Sequence, residues 1–138
     1  MADCYVAALR ILGYRFNSEA ELRRKLSAKR FDEATIAETL ARLREEKWLD
    51  DERFAAAYVR TRVLKGLGRL RIRRELTAAG VDDDAAERAV RENAEGEEER
   101  LRAAYEKLAR RLGGDRQKIA ARLLRQGFEM GAILGYLR

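Results

Sequence analysis

Residues 71–81, Arg-Ile-Arg-Arg-Glu-Leu-Thr-Ala-Ala-Gly-Val, decide the fold because their apolar pattern occurs three times in the chain. The pattern is found 50 residues earlier at 21–31 and 47 residues later at 118–128. In each copy two aliphatic residues lie four positions apart, and another apolar residue follows. Apolar residues at that spacing share one face of a helix, and a repeat of this length is typical of stacked helical units. The pattern therefore predicts three helical repeats.

The composition favours helices along the whole chain. The sequence contains no Pro, and its abundant Ala, Leu, Glu and Arg lose little rotamer freedom in a helix. Residues 18–21, Ser-Glu-Ala-Glu, form a capping box, and Gly80 suits the left-handed residue that ends a helix. Similar signals divide each repeat into three helices. We expect an all-α, elongated array of three tandem three-helix bundles at residues 1–49, 50–95 and 96–138.

Several classes of functional site are excluded by the residue types present. The chain has no His and a single cysteine, Cys4, so the usual zinc sites, His-based catalysis and an intramolecular disulfide are excluded. The Lys65-Gly-Leu-Gly-Arg69 stretch lacks the spacing of a phosphate-binding loop. The adjacent Asp50 and Asp51, and the acidic run 82–84, are interpreted as helix caps rather than cation ligands. We expect no metal and no cofactor, which leaves only an enzyme using Lys or carboxylate chemistry as a remote alternative.

The aromatic residues leave two interpretations open. Trp48 and the tyrosines can stack on bases, as they do in proteins that bind single strands. However, Trp48 falls between two predicted helices, and Tyr58 and Tyr105 recur at core spacing. We therefore predict that these side chains pack in the core. No segment approaches the length of an apolar membrane span and no long apolar stretch opens the chain, so a soluble, cytoplasmic protein is expected.

The charge distribution predicts an anionic partner. The formal net charge is +6 and the sequence pI is about 9.8. Residues 60–75 are strongly basic, whereas 82–99 are strongly acidic. If Ile72 and Leu76 face inward, the helical step of 100° per residue turns Arg71, Arg73 and Arg74 outward or to the flanks. This basic face is either an interface or a solvated surface.

These motifs together resemble those of the RecX family, regulatory proteins that modulate the bacterial recombinase RecA. The resemblance covers nearly the whole chain in the same order, with mild departures at Val81 and Gln126. The matching stretches are Ala8-Leu-Arg-Ile-Leu12 with Arg15, Ser18-Glu-Ala-Glu-Leu22, Trp48-Leu-Asp-Asp-Glu-Arg-Phe54, Lys65-Gly66, Arg71-Ile-Arg-Arg-Glu-Leu76 with Gly80, and Leu124-Arg-Gln-Gly-Phe128.

The resemblance implies a curved array of three-helix bundles without catalytic activity. It implies a monomer that binds RecA filaments on single-stranded DNA, along the filament groove, and inhibits RecA extension, ATPase activity and strand exchange. The alternative is a direct DNA-binding regulator, since three-helix units also resemble helix-turn-helix modules. From this resemblance we expect the partner-binding surface to consist of Lys65, Arg69, Arg71, Arg73 and Arg74.

Overall fold

The computed structural model describes residues 2–138, and within them it contains nine helices and no strand. This confirms the predicted all-α array of helical repeats. None of these helices combines the length and apolar character needed to cross a membrane. The helices are α1 (Ala2–Tyr14), α2 (Glu19–Ala28), α3 (Glu33–Glu45), α4 (Asp51–Leu64), α5 (Arg69–Ala78), α6 (Asp83–Asn93), α7 (Glu97–Leu112), α8 (Arg116–Arg125) and α9 (Met130–Leu137).

Polar side chains fix where the helices begin. Ser18 and Glu21 form the predicted capping box at the start of α2, each side chain accepting a hydrogen bond from the backbone N–H of the other residue. Asp50 accepts two amide hydrogen bonds at the start of α4, and Asp82 accepts one at 2.9 Å at the start of α6. Because these carboxylates satisfy otherwise unpaired backbone donors, their interpretation as helix caps is confirmed.

The second helix of every repeat ends in the same turn. The second residue beyond the helix is left-handed in each copy: φ is 70° at Arg30, 92° at Gly80 and 101° at Gly127. The next amide then bonds back to the helix, as when the Val81 N–H donates to the Leu76 carbonyl at 3.1 Å. This arrangement satisfies carbonyls that a helix end leaves free.

Each repeat buries its own apolar core. The repeated positions Leu22, Ile72 and Ile119 are 0–2% exposed, and the residues one turn later are fully buried. The three core clusters draw on residues 4–49, 54–94 and 101–137. The repeat in the apolar sequence pattern therefore corresponds to a repeat in side-chain packing.

The first two repeats meet where the start of α2 docks on the second repeat. The Glu19 N–H donates to the Asp51 carboxylate at 2.9 Å, and Asp51 is the first residue of α4. The Ser18 hydroxyl donates to the carbonyl of Ala79, at the end of α5. We refer to this contact as the first joint.

The second joint repeats this arrangement between the second and third repeats. The Arg69 N–H donates to the Glu97 carboxylate at 2.7 Å, and Glu97 is the first residue of α7. The Gly68 N–H donates to the Gln126 carbonyl at 2.8 Å, and the Leu70 N–H donates to the next carbonyl at 3.1 Å. The donor residues of the two joints are 50 positions apart and the carbonyl acceptors Ala79 and Gln126 are 47 apart, which matches the sequence repeat. The carboxylates Asp51 and Glu97 are 46 apart, and Ser18 donates through its hydroxyl rather than its amide. Successive units are therefore joined in a similar but not identical way.

The second joint brings two backbones into close approach at glycines. A Cβ atom on Gly127 would lie 2.6 Å from the Arg71 amide nitrogen and 2.8 Å from the Gly68 carbonyl oxygen. A Cβ atom on Gly68 would lie 2.7 Å from the Phe128 amide nitrogen. Only glycine permits such contacts between main chains.

The prediction that Trp48 packs in the core is wrong, because its side chain is 55% exposed. Lys47 adopts a left-handed conformation with φ of 65°, and the chain reverses there. The short extended link that follows places neighbouring side chains on opposite sides, so Leu49, at 5% exposure, enters the core instead. Tyr58 and Tyr105 do pack against the cores of their repeats, as predicted, whereas the prediction is wrong for Tyr14, which ends α1 and is 91% exposed.

Candidate functional site

Two of the predicted interface residues lie on the solvent side of α5. Ile72 and Leu76 are fully buried in the core of the second repeat. The helical step therefore turns Arg73 and Arg74 away from that core, and both are exposed. The third repeat has alanines, not arginines, at the equivalent positions 120 and 121. The exposed arginines are thus not required by the packing of a repeat.

The other three predicted residues lie around the second joint. Lys65 follows the end of α4 and is exposed, whereas Arg69 is the first residue of α5. Arg71 is partly buried, and its guanidinium lies 3.5 Å from the Arg125 carbonyl oxygen in the third repeat. The structure therefore brings the four arginines together on one helix but places Lys65 just beyond the preceding helix, where it lines different cavities.

Two of these arginines have carboxylate partners in other helices. Arg69 lies 3.1 Å from Glu97 and 3.0 Å from Glu129, both in the third repeat. Arg73 lies 3.2 Å from Glu87 in α6, and both side chains are nearly half exposed. Exposed ion pairs contribute little net free energy, typically about 0–1 kcal/mol. A carboxylate of a binding partner can therefore replace Glu87 beside Arg73 at a small cost in free energy. Arg69 differs from Arg73, because Arg69 also holds the second joint.

Arg71 belongs to a partly buried network beneath α5. Its Nε lies 3.1 Å from one oxygen of Glu75, while Arg62 lies 3.0 Å from the other. The Tyr58 hydroxyl donates to Glu75 at 2.9 Å and accepts from Arg62 at 3.0 Å. Burial raises the pKa of Tyr58 above its ordinary value, and the Tyr58 hydrogen bond raises the pKa of Arg62. Tyr58 therefore stays neutral and Arg62 stays protonated through the physiological pH range.

Arg74 is the arginine of this set with no carboxylate within 4.0 Å in the part of the chain that the structure describes. It borders a cavity of about 580 Å³ between the second and third repeats. Leu70 and Phe128 supply apolar walls, and Arg73 and Thr77 supply polar groups, with Asp83 as the one acidic lining residue. An apolar cavity with a cationic rim suits an acidic segment that also carries an apolar side chain.

Sequence reasoning missed the contribution of the third repeat to this surface. Leu124 is 38% exposed and lines the larger cavity. Arg125 lines a neighbouring cavity of about 420 Å³ together with Arg71 and Arg74. The available signal was an apolar residue, Leu124, directly after the buried Leu123. A helix with one buried face does not require both, so the second leucine indicates another contact.

The fold and this composite surface define the class of helical-repeat regulatory proteins. Two family models match the chain: the first three-helix domain of RecX at residues 4–43 and the second at 50–90. The chain belongs to the RecX family, which is a family of regulatory proteins and not of enzymes.

Individual relatives agree with this assignment. The regulatory protein RecX of Xanthomonas campestris pv. campestris (strain B100) is 38% identical over 133 residues, covering 91% of this chain and 80% of that protein. RecX of Geobacillus kaustophilus (strain HTA426) is 34% identical over 140 residues, and the match spans only 52% of that longer protein.

Solved structures share the same arrangement of repeats. The crystal structure of RecX from Lactobacillus salivarius superposes with a TM-score of 0.84 at 29% identity, covering 99% of this chain and 95% of that one. A crystal structure of a regulatory protein RecX gives a TM-score of 0.85 at 27% identity, covering 95% and 68% of the two chains.

Proposed function

We propose that this protein is a non-enzymatic regulator that binds RecA filaments on single-stranded DNA. It lies along the filament groove and inhibits RecA extension, ATP hydrolysis and strand exchange. The observation that supports this most is the exposed pair Arg73 and Arg74 beside a cavity formed by two repeats, in a chain of the RecX family. The protein acts as a monomer in the cytoplasm, and its units are residues 1–49, 50–95 and 96–138.

The repeated joints suit a protein that follows a polymer. Because both joints connect the same parts of successive repeats, the array presents its units at similar intervals. Several weak contacts with successive subunits of a filament then reinforce one another through their high effective concentration. Cations also accelerate the encounter with an acidic filament surface. The partner surface is Lys65, Arg69, Arg71, Arg73 and Arg74, with Arg73 and Arg74 making the direct contacts.

The sharpest test of this surface reverses the charge of Arg73 and Arg74. We expect the variant R73E/R74E to lose at least about tenfold in its inhibition of RecA ATP hydrolysis on single-stranded DNA, since two attractions become repulsions. The control is R23E/R24E, which makes the same charge change at the equivalent positions of α2. Circular dichroism and thermal melting establish that both variants are folded.

Equal loss of inhibition in the two variants would contradict the proposed surface, because it would show that only net charge matters. Arg69 and Arg71 are left unchanged in this experiment. Their contacts with the third repeat would let a loss of folding pass for a loss of binding.

The alternative of a helix-turn-helix regulator is weakened by the charge of α6. In such modules the N-terminal residues of the recognition helix contact base edges in the major groove. In the second repeat that helix begins after Asp82 with Asp83 and Asp84, and Glu87 follows one turn later. Carboxylates there repel the phosphates on both sides of the groove. Sequence-selective binding to duplex DNA without RecA would restore this alternative.

A further inference from the structure

A second basic surface lies at the end of α4, where that helix faces α7 and α8. It is a cavity of about 430 Å³, and its lining contains no Asp or Glu. Four exposed cations line it: Lys65, Lys107, Arg111 and Arg122. We refer to these four as the groove cations.

The groove cations are less compensated than the arginines of α5. Across residues 2–138, no carboxylate oxygen lies within 4.0 Å of any of the four. Lys107 and Arg111 also lie four residues apart on α7, a spacing at which like charges destabilise a helix. Arg111 and Arg122 lie in the last turns of α7 and α8, where cations stabilise a helix modestly. The helix ends therefore account for part of this charge, whereas the convergence of four cations on one cavity without a carboxylate in its lining indicates an external anion.

A buried arginine fixes the base of this cavity. The Arg100 side chain is only 9% exposed. It donates to the Leu67 carbonyl at 3.0 Å, to the Glu97 carboxylate at 3.2 Å and to the Glu95 carbonyl. These bonds hold the link between α4 and α5 against α7, so the groove cations are presented by a rigid frame with a positive charge beneath it.

The basic surface continues toward the first repeat. Lys65 also lines a cavity of about 300 Å³ together with Arg15, Phe16 and Arg62. The Phe16 side chain is 54% exposed there. An exposed aromatic ring beside a row of cations is the combination used to bind single strands, because phosphates pair with cations while bases stack on the ring.

We infer that this groove binds the sugar-phosphate backbone of a single-stranded nucleic acid. Lys65, Lys107, Arg111 and Arg122 contact the phosphates, and Phe16 stacks on a base. An acidic peptide matches the cations alone, whereas every nucleotide of a single strand supplies both a phosphate and a base, which matches the cations and the exposed ring together. The site is distinct from the α5 surface apart from Lys65, so it does not depend on the proposed contact with RecA.

The test measures binding of a fluorescent oligothymidylate to the purified chain over a series of salt concentrations, without RecA. The variant K107Q/R111Q removes two groove cations. We expect its affinity to fall about tenfold and the slope of log K against log salt to become shallower by about 1.4, since each phosphate contact on a single strand contributes about 0.7. The matched control is R110Q/K118Q, which removes one Arg and one Lys that do not line the groove.

A third variant separates stacking from charge. F16L keeps an apolar side chain but removes the ring, and we expect at least about a fivefold loss of affinity with an unchanged salt slope. An F16L affinity equal to that of the parent chain would overturn the assignment of Phe16.

Two outcomes would overturn the groove itself. Equal losses in K107Q/R111Q and R110Q/K118Q would show that only the net charge attracts the strand. Displacement of the oligothymidylate by a polyglutamate of equal charge, at equal concentration, would assign the groove to acidic proteins instead. Because RecA is absent from these measurements, their failure leaves the α5 test of the proposed function intact.

Discussion

The turn after α2 and the turns after α5 and α8 share one backbone conformation but differ in what lies against them. Arg30, Gly80 and Gly127 are all left-handed. Gly80 and Gly127 face the preceding repeat, and a Cβ atom on either would overlap it. Arg30 lies in the first of the three repeats and is exposed, with a full side chain at the same backbone position. The comparison teaches that glycine is required where a repeat docks, whereas the left-handed turn alone tolerates a side chain.

The largest expected effect is at Gly127, which combines close backbone contacts with a positive φ. Gly127→Ala places a methyl group against the Arg71 amide and the Gly68 carbonyl and adds strain at a φ of 101°. We expect the free energy of unfolding to fall by about 3 kcal/mol, measured by urea denaturation with circular dichroism. The control is Gly114→Ala, which meets no atom within 4 Å and has no positive φ, and it should change the free energy by less than about 0.5 kcal/mol.

The first joint should show a smaller loss that can be partly reversed. Gly80→Ala would collide with the Ala20 side chain rather than with backbone, so we expect a loss of about 2 kcal/mol in the free energy of unfolding. Adding Ala20→Gly removes the collision but not the strain at position 80. A double-mutant cycle in which Ala20→Gly gives no recovery would show that crowding at the joint is not the cause.

In the first repeat, glycine at the equivalent left-handed position should raise stability rather than lower it. Arg30→Gly relieves the strain of a left-handed residue without creating a contact, and we expect the free energy of unfolding to rise by about 1 kcal/mol. Lys47→Gly, at a φ of 65°, provides a second case away from the joints. A loss of stability in both would mean that the flexibility of glycine in the unfolded chain outweighs the strain.

The smallest expected effect concerns the stability of the protein at acid pH. Asp32 follows the left-handed turn at Arg30. It accepts a hydrogen bond from the Thr35 backbone N–H, and this bond lowers the pKa of Asp32. A depressed pKa in the folded state adds stability above the unfolded pKa of about 4, and this stability disappears as the pH falls through the folded value. Asp32→Asn should therefore flatten the acid side of the stability profile in thermal melts. An unchanged profile would show that the cap does not govern it.

Contacts within a repeat could be predicted from sequence because they follow helical spacing. Ile72 and Leu76 lie one turn apart, and Ser18 caps the turn that directly follows it. Trp48 was misjudged because a left-handed Lys47 reverses the chain, and no sequence rule signals that conformation at lysine. The prediction of the partner-binding residues stays a prediction, although the structure exposes Arg73 and Arg74.

Contacts between repeats could not be predicted, because they join residues far apart in the chain. Arg69 and Glu129 are 60 positions apart, and nothing in their local sequence relates them. The groove cations Lys107 and Arg122 lie on α7 and α8, and Lys65 follows the end of α4. Their lack of carboxylate partners becomes visible only when every charge has been placed in space.

Both joints rely on the start of one helix, a carboxylate on the next unit and main-chain carbonyls. Such an attachment makes few demands on the outward side chains, so each unit is free to change its surface without losing its neighbour. It also makes the molecule extensible. A further copy of residues 50–95 inserted after residue 95 would bring its own Gly68 and Gly80 equivalents and would dock by bonds of the kind seen in the second joint, which offers a route to engineered regulators of chosen length.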